Sequence, residues 1–365
     1  MKIGILTFVN AANYGAAYQS YALYKFINQY PAVECDHIDY RPLGIMKQYS
    51  PCSIRDSNGI NDYLKRNVNY LYHIPKFLRF KQFRQKHLQL SEPCDEESIK
   101  SRCAQYDRII VGSDQVWNIQ CTQNDWHFLL DFISDCTKKN SYAASFALSR
   151  LPEQYIGQYE RLLNTFSNIS VREQEGAEIV KELTGKSCPV VLDPVFLLKK
   201  KDWEKFATPF SGKPYILVYQ LYYTDALLEF AQKLSQRTEL PLKVNTTSIR
   251  TKAYRVLKAG DCSNASPEEF VSLLHNASYI VTNSFHGTAL AILMNRPFFT
   301  ELVPEKYGVN SRFKSLLGSL DLMDRVIHNA ECHTWNKMAD YDKINRTLDV
   351  YISDSMSYID RILAQ

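Results

Sequence analysis

Short β-branched runs alternate with helix-period patterns from one end of this chain to the other, and that alternation constrains the fold more than any other feature. Stretches 3–8, 33–39, 108–111, 140–143, 169–171 and 190–192 read as strands, with helices over 16–29, 152–164 and 173–184. The pattern breaks at Lys199, Lys200 and Lys201 and at the Pro- and Gly-containing segment ending at Pro214. A second set follows: strands at 215–219, 242–245, 279–281 and 297–300, and helices at 225–236, 267–275 and after His286. A chain of 365 residues exceeds the size at which one core keeps growing. The expectation is an α/β protein of two Rossmann-like domains, with mostly parallel sheets, facing each other across a cleft. Residues 1–205 form the first domain and 206–337 the second, and 338–365 form a closing helix that packs back on the first.

The totals exclude several classes. A formal charge of +4 is too small to argue for nucleic acid. Nine scattered cysteines, with no C-x-x-C pair, read as reduced thiols, and the histidines and cysteines show no metal-ligand spacing. No metal and no bound cofactor is expected. No run of 18 apolar residues occurs, and the apolar N-terminus is too short for a signal segment, so the sequence predicts a cytoplasmic protein.

Four polar clusters follow strands directly. Asn13, Tyr14 and Gly15 come after the first strand, and Gly112 to Asn118, including Asp114, Gln115 and Trp117, after the third. Arg172 and Glu173 follow the fifth, and Ser284, Phe285, His286 and Gly287 follow the strand at 279–281. Open α/β sheets bind ligands outside the carboxyl ends of their strands, so the four clusters are expected to share one cleft. The 279–294 segment is the most specific: strand, tight turn, then an Ala-rich helix whose first amides and dipole favour an anion beside His286. Each cluster also has a plainer reading. Asn-Tyr-Gly serves turns, Asp114 serves a helix cap, Arg172 serves as a surface charge, and His286 serves as a satisfied core residue.

Read in order, these motifs resemble the polysaccharide pyruvyl transferase family. The resemblance rests on Asn13-Tyr14-Gly15-Ala16 with Gln19-Ser20, Gly112 to Asn118, Tyr142 to Phe146, Ser170-Val171-Arg172-Glu173, Leu192 to Leu198, Asn283 to Gly287, and Asn310-Ser311-Arg312-Phe313. It implies a fold like that of GT-B-type glycosyltransferases. The implied reaction moves pyruvate from phosphoenolpyruvate, as co-substrate, to paired saccharide hydroxyls as a cyclic ketal. Arg172 and His286 match positions that contact the donor. Two positions depart from the pattern: Ser284 stands where better-studied members carry arginine, and Ala147 ends a Ser-Phe-Gly motif.

The chemistry sorts the remaining residues. Protonating the methylene carbon needs an acid, and taking the hydroxyl proton needs a base. His286 is the candidate acid and Asp114 the candidate base. Arg172, Arg312, Ser284 and Gly287 are the donor-side candidates, with Arg312 replacing the arginine absent at 284. Asn13, Tyr14, Gly15, Gln115 and Trp117 are the acceptor-side candidates. Two other functions remain open on the same architecture: a glycosyltransferase using a nucleotide sugar, and a non-catalytic saccharide-binding relative.

Between residues 61 and 90, seven Lys or Arg stand against one acid, Asp62, and aromatic and aliphatic residues are interleaved with them. This helical insertion reads either as an ordinary helix with one buried and one solvated face, or as a peripheral contact with the inner face of an anionic membrane. A lipid-linked saccharide acceptor would meet the protein there.

Overall fold

The computed structural model describes residues 1–246, 260–304 and 310–364. The chain divides into two compact units, Met1–Leu197 with Tyr351–Gln365, and Leu198–Val350.

The first unit is built on a four-stranded parallel sheet in the order β2-β1-β3-β4, with β1 Lys2–Leu6, β2 Glu34–His37, β3 Arg108–Val111 and β4 Lys139–Ser141. Ile5 pairs with His37 on one side and with Ile110 on the other, so β1 and β3 are central and apolar on both faces. Helix α1 (Tyr14–Ile27) follows β1, and a 28-residue helix α2 (Ile60–His87) stands between β2 and β3. Helices α3 (Ile156–Leu163) and α4 (Gln174–Thr184) follow β4.

The expected strands at 169–171 and 190–192 are single bridges instead: Ala144 to Val171 and Val171 to Val190. At 169–171 serine hydroxyls are the cause. Ser141 Oγ takes the Ser170 amide at 3.0 Å, and Ser170 Oγ takes the Ala143 amide at 3.1 Å, so side chains intercept the groups a ladder needs. Ala143 then turns to a φ of 48°, which ends β4.

The second unit carries a six-stranded parallel sheet in the order β10-β9-β8-β5-β6-β7. Its elements are α5 (Lys200–Phe206), β5 (Ile216–Gln220), α6 (Asp225–Thr238), β6 (Leu242–Thr246), β7 (Gly260–Asp261), α7 (Pro267–Asn276) and β8 (Tyr279–Thr282). They continue as α8 (Phe285–Leu293), β9 (Phe298–Glu301), α9 (Ser311–Ser319), β10 (Val326–Ile327) and α10 (Tyr341–Ala364). The start of α7 is set locally: Pro267 opens the helix, Ser266 Oγ accepts the Glu269 amide at 3.1 Å, and Glu269 returns the bond at 2.8 Å. The two-residue edge strands β7 and β10 are too short to leave a sequence signal. The end of α10 belongs to the first unit, where Tyr358 donates to the Ser141 carbonyl at 2.9 Å and Ser355 Oγ accepts the Leu192 amide at 3.0 Å.

Candidate functional site

In the first unit the motif loops hold one another through a buried polar network. Gly112 has a φ of 118°, and a Cβ there would lie 2.3 Å from the Tyr142 carbonyl, so only glycine fits. Gln19 reaches from α1 to the same loop: its Oε1 accepts the Ser113 amide at 3.0 Å and its Nε2 donates to Thr7 Oγ1 at 2.8 Å. Thr7 Oγ1 in turn donates to the Ser113 carbonyl at 2.9 Å. Asp114 sits at a φ of 78°, a conformation that is costly for a residue with a Cβ, and its carbonyl accepts the Ser145 amide at 2.9 Å. Glu173 locks the next loop, its Oε1 accepting from Ser145 Oγ at 3.0 Å, Phe146 N at 2.9 Å and Ala147 N at 3.1 Å. Ala147 has a φ of 52°, which explains why glycine suits that position.

Arg172 joins this network to the surface. Its Nη1 meets Asp193 at 2.6 Å and its Nη2 meets Asp114 at 3.4 Å, with side-chain exposures of 1 % for Arg172, 0 % for Asp193 and 13 % for Asp114. Burial works against the charged guanidinium. Asp193, Asp114 and Glu173 outweigh it and hold the Arg172 pKa above its ordinary value. Asn13, Asp114 and Gln115 line one pocket of about 320 Å³, together with Tyr49 and Gln120. Burial, and then the charge of Asp114, push the Tyr49 hydroxyl up to about 12. Asn13 also caps α1, its Oδ1 accepting the Gly15 amide at 2.8 Å and the Ala16 amide at 3.3 Å.

Three acceptor-side candidates are buried. Trp117 is 1 % exposed, its indole N–H donates to the Phe128 carbonyl at 3.1 Å, and its ring packs on Phe146, so it belongs to the core and presents no face to a sugar. Tyr14 is also 1 % exposed, its ring 5.1 Å from that of Phe80. Gly15 is buried in the first turn of α1. Aromatic and glycine residues in loops look alike in sequence whether they face solvent or core, and only packing separates them.

Lys76, a residue with no motif around it, covers Tyr14. Its ammonium lies 4.6 Å from the Tyr14 ring centroid, and the side chain is nearly fully buried. Burial lowers its pKa from 10.5 to about 8. A lysine that loses protons more readily when folded destabilises the fold while it is charged, and stability should therefore rise with pH between about 8 and 10.5. Lys76→Met is expected to stabilise the protein at neutral pH by about 1–3 kcal/mol and to flatten that rise, since the cation–π contact offsets only part of the burial cost. Urea unfolding of both proteins at neutral and alkaline pH checks this, and equal stabilities would contradict it.

In the second unit, β8 delivers Asn283 to a crowded turn. Its Oδ1 accepts the Leu221 amide at 2.9 Å, and its Nδ2 donates to the Tyr222 carbonyl at 2.7 Å and to Glu301 at 3.2 Å. Burial raises the Glu301 pKa, against the hydrogen bonds from Thr224 and Asn283. Ser284 caps α8 by accepting the Gly287 amide at 3.3 Å. Gly287 allows α8 to sit on the sheet, because a Cβ there would lie 2.9 Å from both Thr282 Oγ1 and Tyr219 Cδ1. Ser284 and Gly287 thus also shape the turn and the seat of α8 on the sheet.

His286 is the second residue of α8 and Arg312 the second of α9, and both are about 5 % exposed. Phe285 is near both, its ring 5.4 Å from that of His286 and 5.4 Å from the Arg312 guanidinium carbon. Two helix N-termini, an imidazole and a guanidinium therefore meet around one aromatic ring, a set of groups that favours an anion.

The profile of the polysaccharide pyruvyl transferase family matches residues 13–300. No curated protein matches the chain. Among solved structures, UDP-GlcNAc 2-epimerase from Neisseria meningitidis bound to UDP-GlcNAc superposes with a TM-score of 0.54 at 8 % identity, covering 100 % of both chains. The S. aureus MnaA–UDP structure gives 0.54 at 8 % identity, over 95 % of this chain and 90 % of that one. The Methanocaldococcus jannaschii UDP-GlcNAc 2-epimerase gives 0.50 at 11 % identity, over 100 % and 99 %. Identities this low establish a shared GT-B-like α/β fold and nothing of the chemistry. The ordered motifs, the parallel sheets and the family profile agree: this chain belongs to the polysaccharide pyruvyl transferase family.

Proposed function

We propose that the protein transfers the pyruvyl group of phosphoenolpyruvate to two hydroxyls of a saccharide, forming a cyclic ketal and releasing phosphate. Protonation of the methylene carbon makes the adjacent carbon electrophilic, and one hydroxyl attacks it with loss of its proton. Phosphate then leaves, and the second hydroxyl closes the ring as its proton passes to the departing phosphate. Family membership supports the reaction class, and the observation that carries the site assignment is the meeting of His286 and Arg312 around Phe285 at two helix N-termini.

In this reading Arg312 and the α8 N-terminus hold the donor's anionic groups, and His286 delivers the proton. Asp114, with Asn13 and Gln115 in the first-unit pocket, faces the acceptor and takes the hydroxyl proton. Arg172, whose guanidinium is committed to two carboxylates, is assigned to orient Asp114 rather than to contact the donor. The acceptor is an intermediate of polysaccharide assembly carried on a lipid, and the reaction belongs in the cytoplasm, where phosphoenolpyruvate is made.

Incubation with phosphoenolpyruvate and candidate lipid-linked saccharides tests this directly. Phosphate release that depends on acceptor, with mass-spectrometric gain of one pyruvyl ketal, is the expected result. Release of a nucleoside diphosphate from a nucleotide sugar would establish glycosyl transfer instead. Calorimetric binding of saccharide with no turnover of phosphoenolpyruvate would establish a binding protein.

A further inference from the structure

Helix α2 has two apolar faces, and only one is covered. The inner one is aromatic: Phe77 packs on Tyr49 at 5.9 Å, Phe80 on Tyr14 at 5.1 Å and Phe83 on Tyr21 at 6.3 Å. The outer one is aliphatic. Ile60, Leu64, Val68, Leu71 and Leu78 recur at helical spacing and are 60, 53, 58, 61 and 55 % exposed. Single exposed aliphatic residues are ordinary on a surface, but five in one stripe along a helix of about 40 Å are not. Ile54, 65 % exposed, lies beside the same helix, since Asn67 donates to the Cys52 carbonyl at 3.1 Å and Arg66 to the Asp56 carbonyl at 2.7 Å.

Charge identifies the occupant. Of the seven basic residues in this region Lys76 is buried, while Lys65, Arg66, Lys81 and Lys86 are exposed, against a single acid, Asp62. A second copy of this helix laid on the stripe would bring like charges together. An anionic lipid surface accepts both features at once, the aliphatic stripe at the acyl boundary and the lysines among the head groups. No described helix is long and apolar enough to cross a membrane, which leaves a helix lying in the plane of the surface.

We infer that the outer face of α2 is a docking surface for anionic membrane lipid. The inference rests on α2 alone and stands or falls independently of the transfer reaction.

Co-sedimentation with phosphatidylcholine vesicles, with and without about one-third phosphatidylglycerol, tests it. The wild type should bind the anionic vesicles, ignore the neutral ones, and lose affinity as salt is raised above about 0.1 M. Leu64→Gln/Leu71→Gln/Leu78→Gln should weaken binding tenfold or more. Lys65→Glu/Lys81→Glu should weaken it comparably. All five positions face outward, and unchanged helicity by circular dichroism confirms that the variants remain folded. Failure of the wild type to bind anionic vesicles, or equal binding by the leucine variant, overturns the inference. So does sedimentation-velocity self-association that the leucine substitutions abolish, which would assign the face to a second copy.

Discussion

Replacing Arg172 with methionine is expected to destabilise the protein by about 3–5 kcal/mol. The cause is the partner left behind. Asp193 is fully buried, and the substitution removes the guanidinium 2.6 Å from a carboxylate that also accepts the Val195 amide at 3.1 Å. A buried charge stripped of its counter-ion costs far more than the pair contributed when intact. The double substitution Arg172→Met/Asp193→Leu removes both charges and should recover much of the loss. Urea unfolding of the two single variants and the double variant gives the comparison. A loss below about 1 kcal/mol for Arg172→Met would mean that water or another cation reaches Asp193.

Turnover of the His286→Ala variant with phosphoenolpyruvate and a true acceptor is expected to fall by about 10²–10⁴-fold, the contribution typical of a positioned general acid. Binding and chemistry separate at this site. Arg312→Ala should act mainly on the apparent donor constant, because it removes charge from the same ring of groups without removing the proton. Steady-state kinetics on both variants distinguishes them. Turnover within about threefold of wild type for His286→Ala would end the acid assignment, and an unchanged donor constant for Arg312→Ala would end the clamp.

Much of the architecture was legible because parallel strands buried on both faces leave unmistakable apolar runs. The stretches around Ile3, Ile109, Leu217 and Ile280 all proved to be strands. Those at 169–171 and 190–192 did not, since whether a short apolar run joins a ladder depends on what its neighbour offers: Ser141 and Ser170 offer hydroxyls at the first, and Ser355 offers one to Leu192 at the second. The site divides along the same line. Asn13, Asp114 and Gln115 do line one pocket, and His286 and Arg312 do share Phe285. Trp117 and Tyr14 are in the core, and Ser284 and Gly287 serve the turn that carries His286.

Residue order alone determined which loops follow which strands, because periodicity and turn chemistry are local properties written within a few residues. It also determined the family, since ordered motifs survive as a pattern along the chain. Only the tertiary structure decided which motif residues hold one another and which line a pocket. Gln19 and Ser113 lie 94 positions apart and share a hydrogen bond, and Arg172 reaches 58 positions back to Asp114. The aliphatic face of α2 shows the same limit in reverse, because its leucines read like core residues until the aromatic face of that helix is seen to fill the core already. Burial is a property of what packs opposite, and no window of sequence contains it.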